Sequence, residues 1–396
     1  MTSPGSEQPE QPEHYPQAAA QPAPVAPGAP GVSENWGWVR PPVELQTVET
    51  EPLEYHRLLR GVANYRWWKP LVLLLLSGVY FGVFTIIVAV AFIPALMSDP
   101  EYLNGIASGQ GDTLDTQQPI SVLLSLVSII IMIPSVILAM LTLGMRPLGR
   151  IWSVAGRLRW GMLGRMSLVA LLAVIVMNLA GIALEIAFDP ASLNEQATEA
   201  STSDFNWTAA WTSLIFIVLL VPLQATAEEV VFRGLFMQVL GSWLKSPWFG
   251  IIIPSVGFAL AHIYDIWGLL SVGMLGIVAA WLTWRTGGLE AAIAIHIVNN
   301  LIAFGFMTFN VGGETAQVES TGGAGSFIGA LVGYAVFIWL VLRVFRKRGY
   351  GRTRIDLVQV PVEVAPLPGA GLAPSQAPAA PHSPEEGSQN GPQQHG

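Results

Sequence analysis

The sequence predicts an all-α polytopic membrane protein with about eight transmembrane helices, both termini in the cytoplasm and a polar cavity inside the membrane. Three observations carry this expectation. Charged residues make up only 12% of the chain against 52% hydrophobic, with a mean hydropathy of +0.50, whereas a soluble domain is about 25% charged. Eight apolar runs are each long enough for a hydrocarbon core of about 30 Å, which takes roughly 20 helical residues. Finally, basic and acidic residues alternate from one connection to the next.

In chain order, residues 1–45 are rich in Pro, Ala, Gln, Gly and Glu and show no apolar periodicity. Such a segment buries too little surface to offset its ordering entropy, so it reads as a disordered tail, and 356–396 has the same composition. The N-terminus is acidic, without a basic n-region or short apolar h-region, and so does not read as a cleavable signal peptide. Between the tails, 46–355 forms the integral membrane domain. Its apolar runs lie near 71–96, 120–143, 161–188, 208–240, 248–266, 268–284, 289–309 and 326–345. The fourth is longer than a simple span, which a kink at Pro222 or an emerging C-terminal end would explain. The fifth and sixth are joined so tightly at 265–268 that they must form an antiparallel pair. Pro94, Pro134, Pro222 and Pro254 read as kinks or ends of spans, and Trp67, Trp68, Trp248 and Trp284 as interfacial anchors. Gly273 and Gly276 read as points of close helix packing.

The basic residues set the orientation. Arg57, Arg60, Arg66 and Lys69 precede the first run; Arg146, Arg150, Arg157 and Arg159 lie between the second and third. Lys245 and Arg285 follow the fourth and sixth, and Arg346, Lys347, Arg348, Arg352 and Arg354 follow the eighth. The intervening connections are acidic: Asp99, Glu101, Asp112 and Asp115, then Asp189, Glu195, Glu199 and Asp204, then Glu314 and Glu319. The positive-inside rule therefore places both termini in the cytoplasm. There are no cysteines, so disulfides, thiol nucleophiles and Cys-ligated metal centres are excluded.

Chemistry concentrates in three short motifs. The first is Glu228-Glu229-Val230-Val231-Phe232-Arg233, inside the fourth run. A charged side chain near the bilayer centre costs roughly 3 kcal/mol on insertion scales and marks function by default. On a helix Glu229 and Arg233 stand at i and i+4 and can pair, whereas Glu228 is rotated about 100° away and left without a partner in this segment. The bland alternative is an acidic helix end at the water interface. The second motif runs from Phe258 to His262 and the third from His296 to Asn300, each pair sharing a helix face. His14, His56, His382 and His395 lie in or beside polar regions, so His262 and His296 are the two histidines of the hydrophobic body. A lone His on an apolar helix is usually a satisfied core residue; two of them and a Glu pair on three separate spans are harder to dismiss. From the span ends, Glu228, His262 and Asn300 sit at depths of about 20, 21 and 17 Å at 1.5 Å per residue, so one intramembrane site can hold all three.

These residue types suit hydrolysis. A buried carboxylate beside a His can take a proton from water and return it to a leaving amine, while a second His and an Asn amide can donate to the oxyanion of a tetrahedral intermediate. A competing version has Glu228, His262 and His296 holding Zn²⁺ with an open position for water. The His-Glu-x-x-His motif of the standard metalloprotease helix is absent from the sequence.

Glu-Glu-x-x-x-Arg, Phe-x-x-x-His and His-x-x-x-Asn, in that order on separate hydrophobic spans, resemble the CPBP family, the type II CAAX prenyl endopeptidases and bacteriocin-processing (Abi) proteins. The resemblance covers about 208–310. It implies an eight-helix intramembrane protease with a conical cavity, in which Glu228 and His262 activate water and His296 and Asn300 form the oxyanion hole. Glu229, Arg233 and Phe258 become supporting residues. The family is also described as metal-dependent, which keeps zinc open as a cofactor.

Partners expected are the lipid bilayer and a peptide or membrane-protein substrate, with no nucleic acid. The composition suggests a bacterial protein of the cell membrane, which sets a prenylated substrate aside in favour of a peptide or membrane-protein segment. Two alternatives remain beside the protease: a non-catalytic scaffold or bacteriocin-immunity-type protein, and a proton-coupled transporter using the same Glu and His residues as relays. Polar groups gathered at one depth favour the protease, and a string of them across the membrane would favour the relay.

Overall fold

In hydrocarbon every backbone N–H and C=O must be satisfied within its own segment, so the apolar runs have little choice but to be helical. The computed structural model describes residues 44–108, 114–188, 190, 205–311, 313–319 and 322–362. The chain begins with strand β1 (Glu44–Glu49), strand β2 (Leu53–Glu54) and a 3₁₀ turn (Tyr55–Gly61), followed by α1 (Lys69–Met97) and the short α2 (Pro100–Ser108). The second run is α3 (Pro119–Ile130) and α4 (Met132–Thr142), and the third is α5 (Trp160–Phe188). The fourth comprises α6 (Trp207–Glu229), a π-helical segment (Val230–Phe236) and α7 (Met237–Trp243). Then come α8 (Pro247–Leu260), α9 (Ile266–Thr286), α10 (Glu290–Thr308) and α11 (Ala324–Arg348), with β3 (Thr353–Arg354) and β4 (Leu357–Val362) at the end. β1 pairs with β4, and β2 pairs antiparallel with β3.

Local chemistry sets the helix limits. Prolines open α1, α3 and α8, where a missing N–H is no loss. Asn206 and Asp265 cap α6 and α9, their side chains accepting from the Ala209 and Gly268 N–H at 3.1 and 2.8 Å. Gly287 and Gly349, both left-handed, close α9 and α11. Pro134 has no N–H for the Ile130 carbonyl, and the second run breaks between α3 and α4 at that point.

Among the described residues, seven helical segments are long and apolar enough to cross a bilayer, against the eight expected. The exception is the fifth run, where α8 has only 14 residues, about 21 Å at 1.5 Å per residue. The helix ends at Leu260, and residues 261–264 leave it to line a cavity, a setting in which irregular backbone is tolerated at membrane depth. Beyond it the Asp265 N–H reaches the Glu319 carbonyl at 2.8 Å, which ties this end of the fifth run to the connection between α10 and α11. The fourth run stays helical through Pro222, and its C-terminal end packs as α7 against the 3₁₀ turn. There Gly241 lies so close to His56 that a Cβ would sit 1.9 Å from the His56 carbonyl oxygen.

The connections gather into two faces. On the basic face, Arg150 bonds Asp356 and the Leu58 and Gly61 carbonyls. Arg159 grips Glu290 at 2.7 and 2.8 Å, and Arg60 reaches the Ser242 carbonyl. On the acidic face, Thr116 N–H donates to Thr315 O and Gln317 N–H to Leu114 O, both at 2.9 Å. The Asn206 N–H reaches the Gln117 side chain on the same face. Of the expected acidic residues, Asp112, Asp189, Glu195, Glu199 and Asp204 lie outside the described residues.

Three expectations need correction. The folded body extends past 355: Asp356 is buried against Arg150 and Arg354, and Leu357–Val362 is strand rather than tail. At the other end, strand β1 begins at Glu44, inside the segment read as tail; residues 1–43 and 363–396 lie outside the described residues. His56, read as lying in or beside a polar region, is fully buried, with its Nε2 3.0 Å from the Lys245 carbonyl. A close contact also joins α5 and α11, where a Cβ on Gly329 would stand 2.3 Å from the Gly181 nitrogen. Gly276 also sits close to its neighbour, Ser255, whereas Gly273 makes only ordinary contact.

Candidate active site

The π-helical segment begins immediately after Glu229; such insertions are rare and concentrate at functional sites. Glu228 and Glu229 therefore sit at the last ordinary turn of α6. Glu229 points into protein. Its Oε1 accepts from Arg233 Nη1 at 2.8 Å and lies 2.7 Å from His296 Nδ1. Arg233 is wholly buried, with its guanidinium carbon 4.4 Å from the centroid of the Phe258 ring, so an aromatic face and a carboxylate together replace its water. Phe258 is packed edge-on to His262 and His296 at 4.8 and 5.6 Å. One phenyl ring thus spaces the three motifs.

His296 lies between the two carboxylates. Its Nε2 stands 3.1 Å from Glu228 Oε2, but Oε2 has no partner at hydrogen-bond angles, so this is an ionic approach rather than a formed bond. A ring with a carboxylate at each nitrogen can donate to both only as the imidazolium. In that state two carboxylates, one guanidinium and one imidazolium sum to zero, which is how a buried cluster of this kind avoids an uncompensated charge. Glu228 differs from the rest in its access. Its side chain is 12% exposed, against 1% for Glu229 and none for Arg233.

That access leads into a cavity of about 560 Å³. Glu228, His262, His296, Asn300 and Phe258 all line it, so the structure brings the expected site residues to one chamber between α3, α6, α8, α9 and α10. Glu229 and Arg233 stand behind the wall. His262 lies just past the end of α8, its Nδ1 2.7 Å from the Phe258 carbonyl. A carbonyl only accepts, so Nδ1 carries a proton, and Nε2 is the ring nitrogen left to act in the chamber. Asn300 donates from Nδ2 to Gln224 Oε1 at 3.3 Å. Sequence reasoning missed Gln224, Tyr264 and Gln317, although all three line the chamber and Gln317 donates to the Tyr264 hydroxyl at 3.0 Å. Gln224 was findable, being one turn before Glu228 on the same helix face in an otherwise apolar run. Tyr264 and Gln317 lie in connections whose paths the sequence does not reveal.

The zinc alternative does not fit these positions. No group of three or more His, Asp or Glu side chains is arranged to hold a metal ion among the described residues. His296 has both ring nitrogens against carboxylates, and His262 commits Nδ1 to a backbone carbonyl. Glu228, His262 and His296 therefore share a chamber without converging as a ligand set, and the metalloprotease reading is not supported.

Comparison with known proteins agrees with the motif positions. Residues 209–302 match the family "Type II CAAX prenyl endopeptidase Rce1-like". A relative in Bacillus subtilis (strain 168), the uncharacterized protein YyaK, is 27% identical over 183 residues, covering 44% of this chain and 58% of that protein. The chain thus spans somewhat over half the length of this relative. No solved structure matches it.

Proposed function

We propose that the chain, whose residues 209–302 match the family "Type II CAAX prenyl endopeptidase Rce1-like", is an intramembrane endopeptidase of the cell membrane that hydrolyses a peptide or membrane-protein segment inside the chamber. Glu228 and His262 activate the water, and His296 and Asn300 receive the oxyanion. The observation that carries this reading is the difference between the two histidines. His262 spends Nδ1 on the Phe258 carbonyl and so has Nε2 left to serve as the base, while His296, between two carboxylates, is suited to donating. In the reaction, water gives a proton to the Glu228/His262 pair as its oxygen attacks the peptide carbonyl. The oxyanion that forms is met by N–H groups of His296 and Asn300. Collapse breaks the C–N bond, and the held proton goes to the departing amine. Glu229, Arg233 and Phe258 fix the position of His296, and Gln224 fixes the Asn300 amide.

Gathering of the polar groups in one chamber favours this reading over a proton relay, which needs groups strung across the membrane. The test is digestion of a peptide library by the purified protein in oxygen-18-labelled water, with new termini read by mass spectrometry. Hydrolysis places one heavy oxygen in each new C-terminal carboxylate. His262→Ala and Asn300→Ala should each lower turnover by about 10²–10³-fold, the usual effect of losing a general base or an oxyanion donor. New termini that are equally abundant in both variants would overturn the assignment. Their absence from the wild-type digest would favour a binding scaffold.

A further inference from the structure

The chamber has a closed end and an open end, and they belong to different faces of the membrane. At the closed end lie Glu228, Phe232, Phe258 and His296. Behind them packs a continuous apolar cluster that includes Tyr55, Leu58, Leu59, Leu235, Leu289 and Ile293. The ion pairs Arg150–Asp356 and Arg159–Glu290 hold that layer in place. No residue of the basic-face connections lines the chamber among the described residues. At the open end the lining passes to Leu114, Tyr264, Gly268 and Gln317, which sit on or beside the connections of the acidic face. Those connections are tied to one another by Gln317 N–H to Leu114 O and by Asp265 N–H to Glu319 O.

Charge identifies the two faces. In the sequence, the four stretches 98–118, 189–206, 261–265 and 309–323, whose described residues follow or precede the helix ends near the mouth, contain eleven acidic residues and not one lysine or arginine. Arg233 apart, the lysines and arginines of the described residues all lie on the closed face or in the helix turns that approach it. A bias this complete sets orientation, with the basic face in the cytoplasm.

We infer that the chamber opens to the extracytoplasmic side, and that its substrate is the extracytoplasmic segment of an exported or membrane-anchored polypeptide. A cytoplasmic chain terminus has no route to Glu228 through the closed face. The sidedness stands on the cavity and the charge distribution alone; the substrate class rests in addition on the endopeptidase reading.

The chain has no cysteine, so single-cysteine variants report sidedness directly. Ser271→Cys lies in the chamber wall, Glu319→Cys on the acidic face and Thr353→Cys on the basic face. A membrane-impermeant maleimide applied to intact cells should label the first two, and Thr353→Cys only after permeabilisation. Labelling of Ser271→Cys that requires permeabilisation, or labelling of Thr353→Cys in intact cells, would overturn the inference. In a second arm, a quenched-fluorescent peptide library is added to right-side-out and inside-out vesicles containing wild type or Glu228→Gln. Glu228-dependent cleavage should be at least tenfold greater in right-side-out vesicles, and the reverse ratio would refute the inference. The labelling pattern above without cleavage in either orientation would uphold the sidedness and defeat the endopeptidase reading instead.

Discussion

Glu229 and Arg233 form an ion pair at 2.8 Å in which neither side chain has more than 1% of its surface exposed. Their neighbours explain why it persists in the membrane: His296 on the carboxylate and the Phe258 ring on the guanidinium. Removing one partner of a buried pair strands the other charge, at a cost of about 3–5 kcal/mol. Arg233→Met should therefore lower the thermal unfolding midpoint in detergent far more than Arg343→Met, which removes an exposed arginine near the end of α11. Equal midpoints for the two variants would mean that Arg233 does not hold the site together.

Gln224 accepts from the Asn300 amide, so it acts on the oxyanion through another residue. Gln224→Ala should reduce kcat several-fold with little change in KM, and Gln224→Glu, which keeps an acceptor, should recover much of the loss. Steady-state kinetics on one cleaved peptide decides this. A change confined to KM would make Gln224 a substrate contact.

Burial holds His56 below the ordinary histidine value, although Glu54, with Oε2 3.8 Å from Nδ1, opposes the shift. The unfolded chain therefore takes up a proton that the folded state resists. The contribution of His56 is complete above about pH 6.5 and is lost as the pH falls below it. Unfolding midpoints measured from pH 8 to pH 5 should fall for wild type, and less steeply for His56→Gln, which can still donate to the Lys245 carbonyl. Identical slopes would show that His56 does not titrate in this way.

Gly329 gives α11 its approach to Gly181 of α5. Gly329→Leu should force the two helices apart, destabilising the protein by about 1–3 kcal/mol or more through overpacking. Gly78 of α1 has open space where its Cβ would be, and Gly78→Leu should leave stability nearly unchanged. Limited proteolysis and thermal unfolding separate the two cases.

The sequence was most informative where one residue type has one affordable environment. Apolar runs in lipid must be helical, and a Glu-Glu-x-x-x-Arg stretch within them must be internally paired, so both the spans and the Glu229–Arg233 contact were legible. The short α8 was not, because hydropathy continues through Ala261 and Ile263 while the backbone turns aside to line the chamber. The partner of Glu228 was also hidden. Spacing links residues on one helix, whereas the approach of His296 to Glu228 depends on how α6 and α10 pack. For the same reason the Gly329–Gly181 contact escaped notice while Gly273 and Gly276 drew attention.

The most direct test of the central claim compares Glu228→Gln with Glu229→Gln in one assay of peptide turnover and thermal stability. Glu228 faces the chamber and Glu229 faces Arg233. Glu228→Gln should therefore keep a near wild-type unfolding midpoint and lose turnover by about 10²–10⁴-fold, the range for a lost general base. Glu229→Gln should lose stability first. Turnover by Glu228→Gln at the wild-type rate would contradict the account.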